Sequence, residues 1–539
     1  MHNYFKEKGI SPVIGVILLV AVTVALVALA TVIVFNIGSS VSEPSARSTV
    51  NVDKTNNGLQ VQVIRNDNIE EMRVTYPNGS VDTIDSNVGD SILIPMENAG
   101  QYSITSVTSS GSENVLRTVS VSDDETTSTT NNAQLTGVVS INPVIPDAIV
   151  EAYNADNDVI KSTTTNTNGE YSLSVSSTNV DRLVVSSSGA VTYNGEPVYA
   201  GAEINTVDSD TVNFNFDETK ITTGVNVNSS SVTIANTLEG KPTPSTITVA
   251  NAHQLQAINS DVNLTYKIIR DINADKTKEW NDGKGFKPLN AKVGTSFGSP
   301  DIEFTGELNG NNHNITGLYI NRTTNAVGLI GYNKGVVEKI NVVNSTISGN
   351  EQIGGVVGLN ANEIIKSSAR NVTISGTENV GGLSGESNYN GEIEQSFATG
   401  NITGKTKYVG GLVGFQQGFI NNSYTNVRLQ GDSIVGGIAG WHDGFYSGYI
   451  NNSYSISTIN SSSESGGLVG RNQRSANGYY YPQKNSYWNT NISNPNSKIG
   501  TEITQNKIRG DLAKTNMNFN FTDTWVTVED NYPKLHWQK

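Results

Sequence analysis

The chain has 539 residues, a net charge of −15, 36% hydrophobic and 16% charged residues, and no cysteine. The missing cysteines exclude disulfides, thiolate metal sites and cysteine nucleophiles, and an acidic chain without a basic stripe excludes a nucleic-acid partner. Ser, Thr, Asn and 52 Gly fill the composition, which favours many short strands joined by turns over long amphipathic helices.

From Gly9 to Ser42 there is no charged residue. The stretch 10–37 is long enough to cross a hydrocarbon core as a helix, the form in which the backbone satisfies its own hydrogen bonds. Pro12 falls near the helix start, where it costs little. Lys6 and Lys8 before it favour a cytoplasmic N-terminus and an outside body. A secretory signal peptide would have a shorter apolar region and a small-residue cleavage site. The words Lys8-Gly9-Ile10-Ser11-Pro12-Val13-Ile14-Gly15-Val16-Ile17-Leu18, opening an uncharged helix, resemble archaeal type IV pilins. That resemblance implies cleavage between Gly9 and Ile10 by a prepilin peptidase. Residues 1–9 are then the leader, and 10–37 form a pilin-like transmembrane helix that rests in membrane lipid or packs with other pilins. It also implies a single-pass protein of the cell membrane, body outside, with pilus association open.

Residues 46–120 alternate apolar and polar, with Leu59, Val61 and Val63, Ile92 and Ile94, Tyr102 and Ile104, and Val115, Val119 and Val121. This period of two, broken by Asn57-Gly58, Asn78-Gly79 and Ala99-Gly100, predicts antiparallel strands; the layout is similar to the β-sandwich heads of archaeal pilins. Residues 121–133 read as a linker. Residues 134–216 form a second β unit, in which Leu135-Thr136-Gly137-Val138-Val139 and Asn168-Gly169-Glu170-Tyr171 resemble carboxypeptidase-regulatory-like sandwiches. Residues 217–247, with Pro242 and Pro244, read as a stiff linker.

The strongest internal signal is a repeat. The words Gly328-Leu329-Ile330-Gly331, Gly354-Gly355-Val356-Val357-Gly358, Gly381-Gly382-Leu383-Ser384-Gly385, Gly410-Gly411-Leu412-Val413-Gly414, Gly436-Gly437-Ile438-Ala439-Gly440 and Gly466-Gly467-Leu468-Val469-Gly470 end 27, 27, 29, 26 and 30 residues apart. A β-branched residue follows each of the first five (Val337, Ile364, Ile393, Ile420, Ile450), and a second apolar residue comes later (Ile347, Ile374, Ile402, Leu429, Ile459). Three short strands per unit are expected, stacked so that neighbours bury a continuous column; six rungs about 4.8 Å apart make a stack of roughly 24 Å. The glycines are expected at tight corners with φ > 0, and words such as Asn421-Asn422-Ser423 and Asn451-Asn452-Ser453 as ladders between rungs. These words resemble the GLUG motif family, and with their flanks the resemblance covers 248–539 including a C-terminal cap. It implies a surface or adhesin-like protein whose repeats carry no chemistry. The expected fold is therefore mainly β: a pilin-like helix, two small β-sandwiches and a parallel β-solenoid.

No motif for an enzyme stands out. The Gly words lack the Lys-Ser/Thr of a phosphate loop, the five histidines lack metal-helix spacing, and acids such as Glu392 and Glu394 flank an inward Ile393 and face solvent. No catalytic residue, cofactor or metal is expected, and the chain reads as an adhesin or structural envelope component rather than a membrane-tethered polysaccharide hydrolase or lyase. Aromatic rings offer the ligand-contact candidates: Trp441, Phe445, Tyr446 and Tyr449 in one insertion, and Tyr424 and Tyr454 at one repeat position, read either as exposed contact rings or as rings packed over the solenoid edge. The expected partners are carbohydrate or another cell surface. Asn-x-Ser/Thr sequons for N-glycosylation occur at Asn78, Asn228, Asn263, Asn314, Asn321, Asn344, Asn371, Asn401, Asn421, Asn451, Asn460, Asn491 and Asn520.

N-terminal sequencing of the protein from its native membrane is expected to begin at Ile10. A start beyond residue 30 would rule out processing of the pilin type.

Overall fold

The computed structural model describes residues 49–539 except 56–57, 66–68, 85–90, 95–99, 109–112, 122–133, 142–143, 188–190, 194–195, 206, 208, 229, 240–244, 291–302, 444–447, 474–482 and 490–498. The leader with Lys8, Gly9 and Ile10, the N-terminal helix, the linker after Val121, and Phe445, Tyr446 and Asn491 lie outside the described residues. Among the described residues no helix is long and apolar enough to cross a membrane. The chain divides into two units, 1–131 and 132–539.

In the first unit the period-two runs fold as expected. Thr49–Thr55, Gly58–Arg65 and Ser91–Ile94 form one sheet, and Val81–Ile84, Ile69–Thr75, Gly100–Thr108 and Glu113–Val121 form another. Leu59, Val61, Val63, Met72, Val74, Tyr102 and Ile104 make a shared core, as alternation on two facing sheets requires. Val115 is an exception: it is exposed.

The second unit opens with a sandwich of a seven-stranded and a three-stranded sheet. The stretch 217–247 is not simply a linker. Thr222–Asn228 and Ser230–Ala235 extend the larger sheet, where Ser230–Ala235 pairs parallel with Glu196–Ile204. The apolar positions Val227, Val232 and Ile234 are buried there, an alternation that outweighs the turn formers around it. Thr246–Val249 then starts the solenoid. Sandwich and solenoid meet over half-buried and buried ions. Glu203 lies 3.5 Å from Arg182 and 3.1 Å from Lys267, Glu151 lies 3.3 Å from Arg270, and Arg182 covers the Tyr153 ring at 3.9 Å. Gln254 seals the junction, donating to the carbonyls of Gly201 and Ala235 at 3.2 Å each.

From Val336 on, each solenoid turn supplies strands to four parallel sheets, where three strands per unit are read from the repeat. The turn from Val336 runs through Val336–Glu338 (first sheet), Asn341–Val343 and Thr346–Ser348 (second), Glu351–Ile353 (third) and Val357–Asn360 (fourth). The third sheet carries the inward apolar residues Ile353, Val380, Val409 and Val435 just ahead of each Gly word. In the first sheet Leu308, Val337, Ile364, Ile393, Ile420 and Ile450 stack in register and are fully buried. Full burial of one such side chain contributes about 1.5–3 kcal/mol.

The Gly words do not mark left-handed corners. Gly355, Gly382, Gly411, Gly437 and Gly467 are absent from the positive-φ positions; they are small because their turns touch. A Cβ on Gly411 would lie 2.0 Å from the Gly437 carbonyl oxygen and 2.7 Å from Thr425 Cγ2, and one on Gly382 would lie 2.2 Å from the Gly411 oxygen. The left-handed corners fall instead on Lys339, Lys366, Gln395, Asn422, Asn452 and Asn485, between the first and second sheets, at φ of 47–54°. One residue beyond that corner runs a buried serine ladder. Ser396, Ser423 and Ser453 Oγ each accept the backbone N–H of the preceding turn at 3.0–3.1 Å and donate to the carbonyl two residues back at 2.7–2.8 Å. The ladder expected from Asn422-Ser423 and Asn452-Ser453 is therefore present, and it satisfies backbone groups that the bend would otherwise strand.

On the outer side of the second sheet, Phe397, Tyr424, Tyr454 and Tyr487 stack in register. The Phe397–Tyr424 and Tyr424–Tyr454 rings lie 4.8 and 5.1 Å apart and nearly parallel. They are packed rather than exposed: Trp525, Met517, Leu535 and the partly buried Phe519 cover them as a C-terminal cap. Sequence shows the ring column but not what lies over it.

Gly411→Ala is expected to lower the stability of the full chain by about 2–3 kcal/mol in urea denaturation, and Gly411→Val by more, because each forces backbones of adjacent turns apart. Asn422→Gly, at a true left-handed corner, should change it by less than about 1 kcal/mol. Unchanged unfolding of Gly411→Ala would show that the glycine column is not a packing constraint.

Candidate functional site

The residue after the last glycine of each Gly word starts one outward column of the fourth sheet. Tyr332, Leu359, Glu386, Phe415, Trp441 and Arg471 stand in register there. Phe415 and Trp441 are half-buried, and Tyr408 reaches them from the third sheet. Tyr408 and Trp441 meet edge to face at 4.6 Å, Phe415 and Trp441 at 5.9 Å, and Tyr408 stacks on Phe415 at 5.7 Å. Arg471 lies 5.6 Å from the centre of the Trp441 ring and is held by Glu464, which accepts from its Nε at 2.8 Å. The Trp441 indole N–H finds no acceptor among the described residues. The result is a continuous aromatic face with an ion pair at its edge.

Glu386 sits one turn before Phe415 and is buried. Burial raises its pKa above the ordinary carboxyl value, against hydrogen bonds from Gln352 at 2.8 Å and Asn379 at 3.4 Å that lower it.

Of the two described candidates in the insertion, Trp441 joins this face. Tyr449 belongs to the first sheet, where its ring meets Phe419 at 4.9 Å; Phe445 and Tyr446 are outside the described residues. Tyr408 and Phe415 were missed. Phe415 was legible as the same repeat position as Trp441; Tyr408 was not, because its strand belongs to the third sheet, which the repeat did not reveal. Among the described residues no group of three His, Asp or Glu side chains is placed to hold a metal ion.

Sequon asparagines Asn78, Asn263, Asn321, Asn344, Asn371, Asn401, Asn460 and Asn520 are exposed, and Asn314, Asn421 and Asn451 are half-buried. The hydroxyls that complete the Asn421 and Asn451 sequons, on Ser423 and Ser453, are locked in the buried ladder. Asn371 donates to Asn344 on the adjacent turn at 2.8 Å. The Asn228 side chain and Asn491 lie outside the described residues.

Residues 8–48 match the family model described as the N-terminal segment of archaeal type IV pilins. The chain is also 37% identical over 108 residues to Halomucin of Haloquadratum walsbyi (strain DSM 16790 / HBSQ001), an alignment covering 19% of this chain and 1% of that protein. A solved structure titled IgA1 Protease aligns with 74% of this chain and 32% of its own at 15% identity, but its TM-score of 0.32 carries no argument. The N-terminal match and the Halomucin relative point to a membrane-associated archaeal surface protein, with the β-solenoid as its largest part.

His442, next to Trp441, points inward and is fully buried in register with Gln416. Burial pushes its pKa down to about 4, against smaller upward pulls from the Gly448 backbone and the Asp443 charge. A histidine depressed when folded binds fewer protons than in the unfolded chain, so its contribution is present above pH 6.5 and lost as the pH falls towards 4. Urea denaturation at pH 7 and 4.5 should show His442→Gln losing about 2 kcal/mol less than the unmodified protein over that interval. Equal acid losses would mean that His442 is not the group responsible.

Proposed function

We propose that this is a membrane-anchored, pilin-like surface adhesin that presents its solenoid for contact with carbohydrate or another cell's envelope. The carrying observation is the Tyr408–Phe415–Trp441 face with the Arg471–Glu464 ion pair at its edge. Aromatic faces stack on the apolar faces of sugars, and ionised side chains at the edge can hydrogen-bond sugar hydroxyls. In this reading the prepilin peptidase processes the chain at Gly9, a single helix at 10–37 anchors it, the turns are of GLUG type, residues 134–216 act as a carboxypeptidase-regulatory-like spacer, and exposed sequons such as Asn401 and Asn460 carry glycans.

The reading holds that the chain is not an enzyme. One feature favours the alternative of a tethered polysaccharide hydrolase or lyase: Glu386, buried with a raised pKa beside the aromatic face. Its hydrogen-bond partners are the amides of Gln352 and Asn379, and the nearby Glu351 carboxylate, which adds to the upward shift, is itself hydrogen-bonded by Asn325; glycoside hydrolysis ordinarily needs a pair of carboxyl groups. Incubation with polysaccharide is expected to release no reducing sugar; release that Glu386→Gln abolishes would establish the alternative.

On a glycan array, Trp441→Ala and Tyr408→Ala are expected to weaken binding at least about tenfold, the loss of roughly one aromatic contact, while thermal unfolding is unchanged. Binding that survives both substitutions would remove this face from the proposed function.

A further inference from the structure

The outer column of the second sheet changes character along the stack. Asn314, Asn341 and Ser368 precede Phe397 and the tyrosines in register. The C-terminal cap covers only the aromatic end, and its last residues stop over Phe397, where the Trp537 indole donates to the Gln395 carbonyl at 2.8 Å and its ring lies 5.8 Å from Phe397. Between the cap's edge and the amide end lies a cavity of about 460 Å³, lined by Asn314, Asn341, Arg370, Phe397, Trp537 and Lys534 among others. That is within the range of small-ligand pockets, about 300–1,000 Å³.

Two cations face this cavity without a carboxylate partner. Lys534 is exposed at the rim and makes no ion pair among the described residues. Arg370 is half-buried; its guanidinium donates to Asn314 Oδ1, while its buried Nε has no acceptor among the described residues. Burial disfavours its charge, and the Asp271 carboxylate pulls the other way. Asp271 itself is engaged by the backbone and side chain of Asn314 at 2.9 and 3.0 Å. Arg370 and Lys534 thus both face the groove without a direct ion pair among the described residues, Arg370 being only partly offset by Asp271. A negatively charged group between Arg370 and Lys534 would supply both with charge-assisted hydrogen bonds, the amide floor suits hydroxyls, and the Phe397–Trp537 wall suits the apolar face of a sugar ring.

We propose that this groove binds an acidic saccharide, a sugar bearing a carboxylate or sulfate group, at a site separate from the Trp441 face. It shares only the ligand class with the adhesin reading; the two sites are on different sheets, so each fails or stands alone. Asn314 in the floor is a sequon whose amide nitrogen donates to Asp271 and whose oxygen accepts from Arg370, and the proposal requires that it carry no glycan.

Isothermal titration calorimetry on the detergent-solubilised full chain tests this with trigalacturonate, a sulfated chondroitin disaccharide, maltotriose and sodium sulfate. At least one acidic saccharide should bind about tenfold or more tighter than maltotriose and sulfate, and weaken as salt is raised. Arg370→Gln and Lys534→Gln should each weaken it about tenfold, while Trp441→Ala leaves it unchanged. If Arg370→Gln fails to fold, Lys534→Gln, at an exposed position, carries the test. No binding of either acidic saccharide, equal binding of maltotriose, sulfate alone binding as tightly, no effect of Lys534→Gln, or a glycan on Asn314 by peptide mapping would each overturn the proposal.

Discussion

Direct backbone contact between successive turns along the glycine column is the constraint on which the solenoid depends. With Gly411 and Gly437 so close that a methyl group would not fit, each turn has one position on the next. Register then fixes everything else: the buried column from Leu308 to Ile450, the serine ladder and the left-handed corner column all repeat at the same place in every turn. In a stack where each unit contacts only its neighbours, the shared position also turns a single inward-pointing residue into a continuous core.

The same register builds outward surfaces. Side chains at one repeat position line up on one face, so a property repeated in sequence becomes a stripe in space. Where the stripe is aromatic and uncovered it becomes the Tyr408–Phe415–Trp441 face; where it is aromatic and covered it becomes a seat for the C-terminal cap. The proposed binding face and the seat of the cap draw on the same device and differ in whether another described part of the chain lies on top.

Much of the architecture was legible in sequence. Period two placed Leu59, Val61, Tyr102 and Ile104 in the first sandwich, and the Gly words with their trailing β-branched residues placed the inward columns, because both patterns report burial directly. Three things were not. The third sheet was hidden because its inward residue, Ile353, Val380, Val409 or Val435, directly precedes a Gly word and reads as part of it. The role of the glycines was misread because a small residue answers equally to a backbone angle and to a close neighbour, and only coordinates separate the two. The cover over the aromatic ladder was hidden because the cap arrives from residues 505–539, and no local pattern says which distant segment lands on a stripe. Of the ligand-contact candidates, Trp441 reached a shared surface, since Tyr449 follows the insertion onto a different sheet.

The cap has a consequence for how such a chain can change length. A turn inserted whole before Phe397 would add one rung and lift the later turns without disturbing the ion-bearing junction with the sandwich or the seat of the cap. A turn inserted between Phe397 and Tyr487 would shift the ring column out from under Trp525 and Trp537, whose contacts span several consecutive rungs. The fold is thus open to lengthening at one end and keyed at the other, a growth polarity set by a segment outside the repeats.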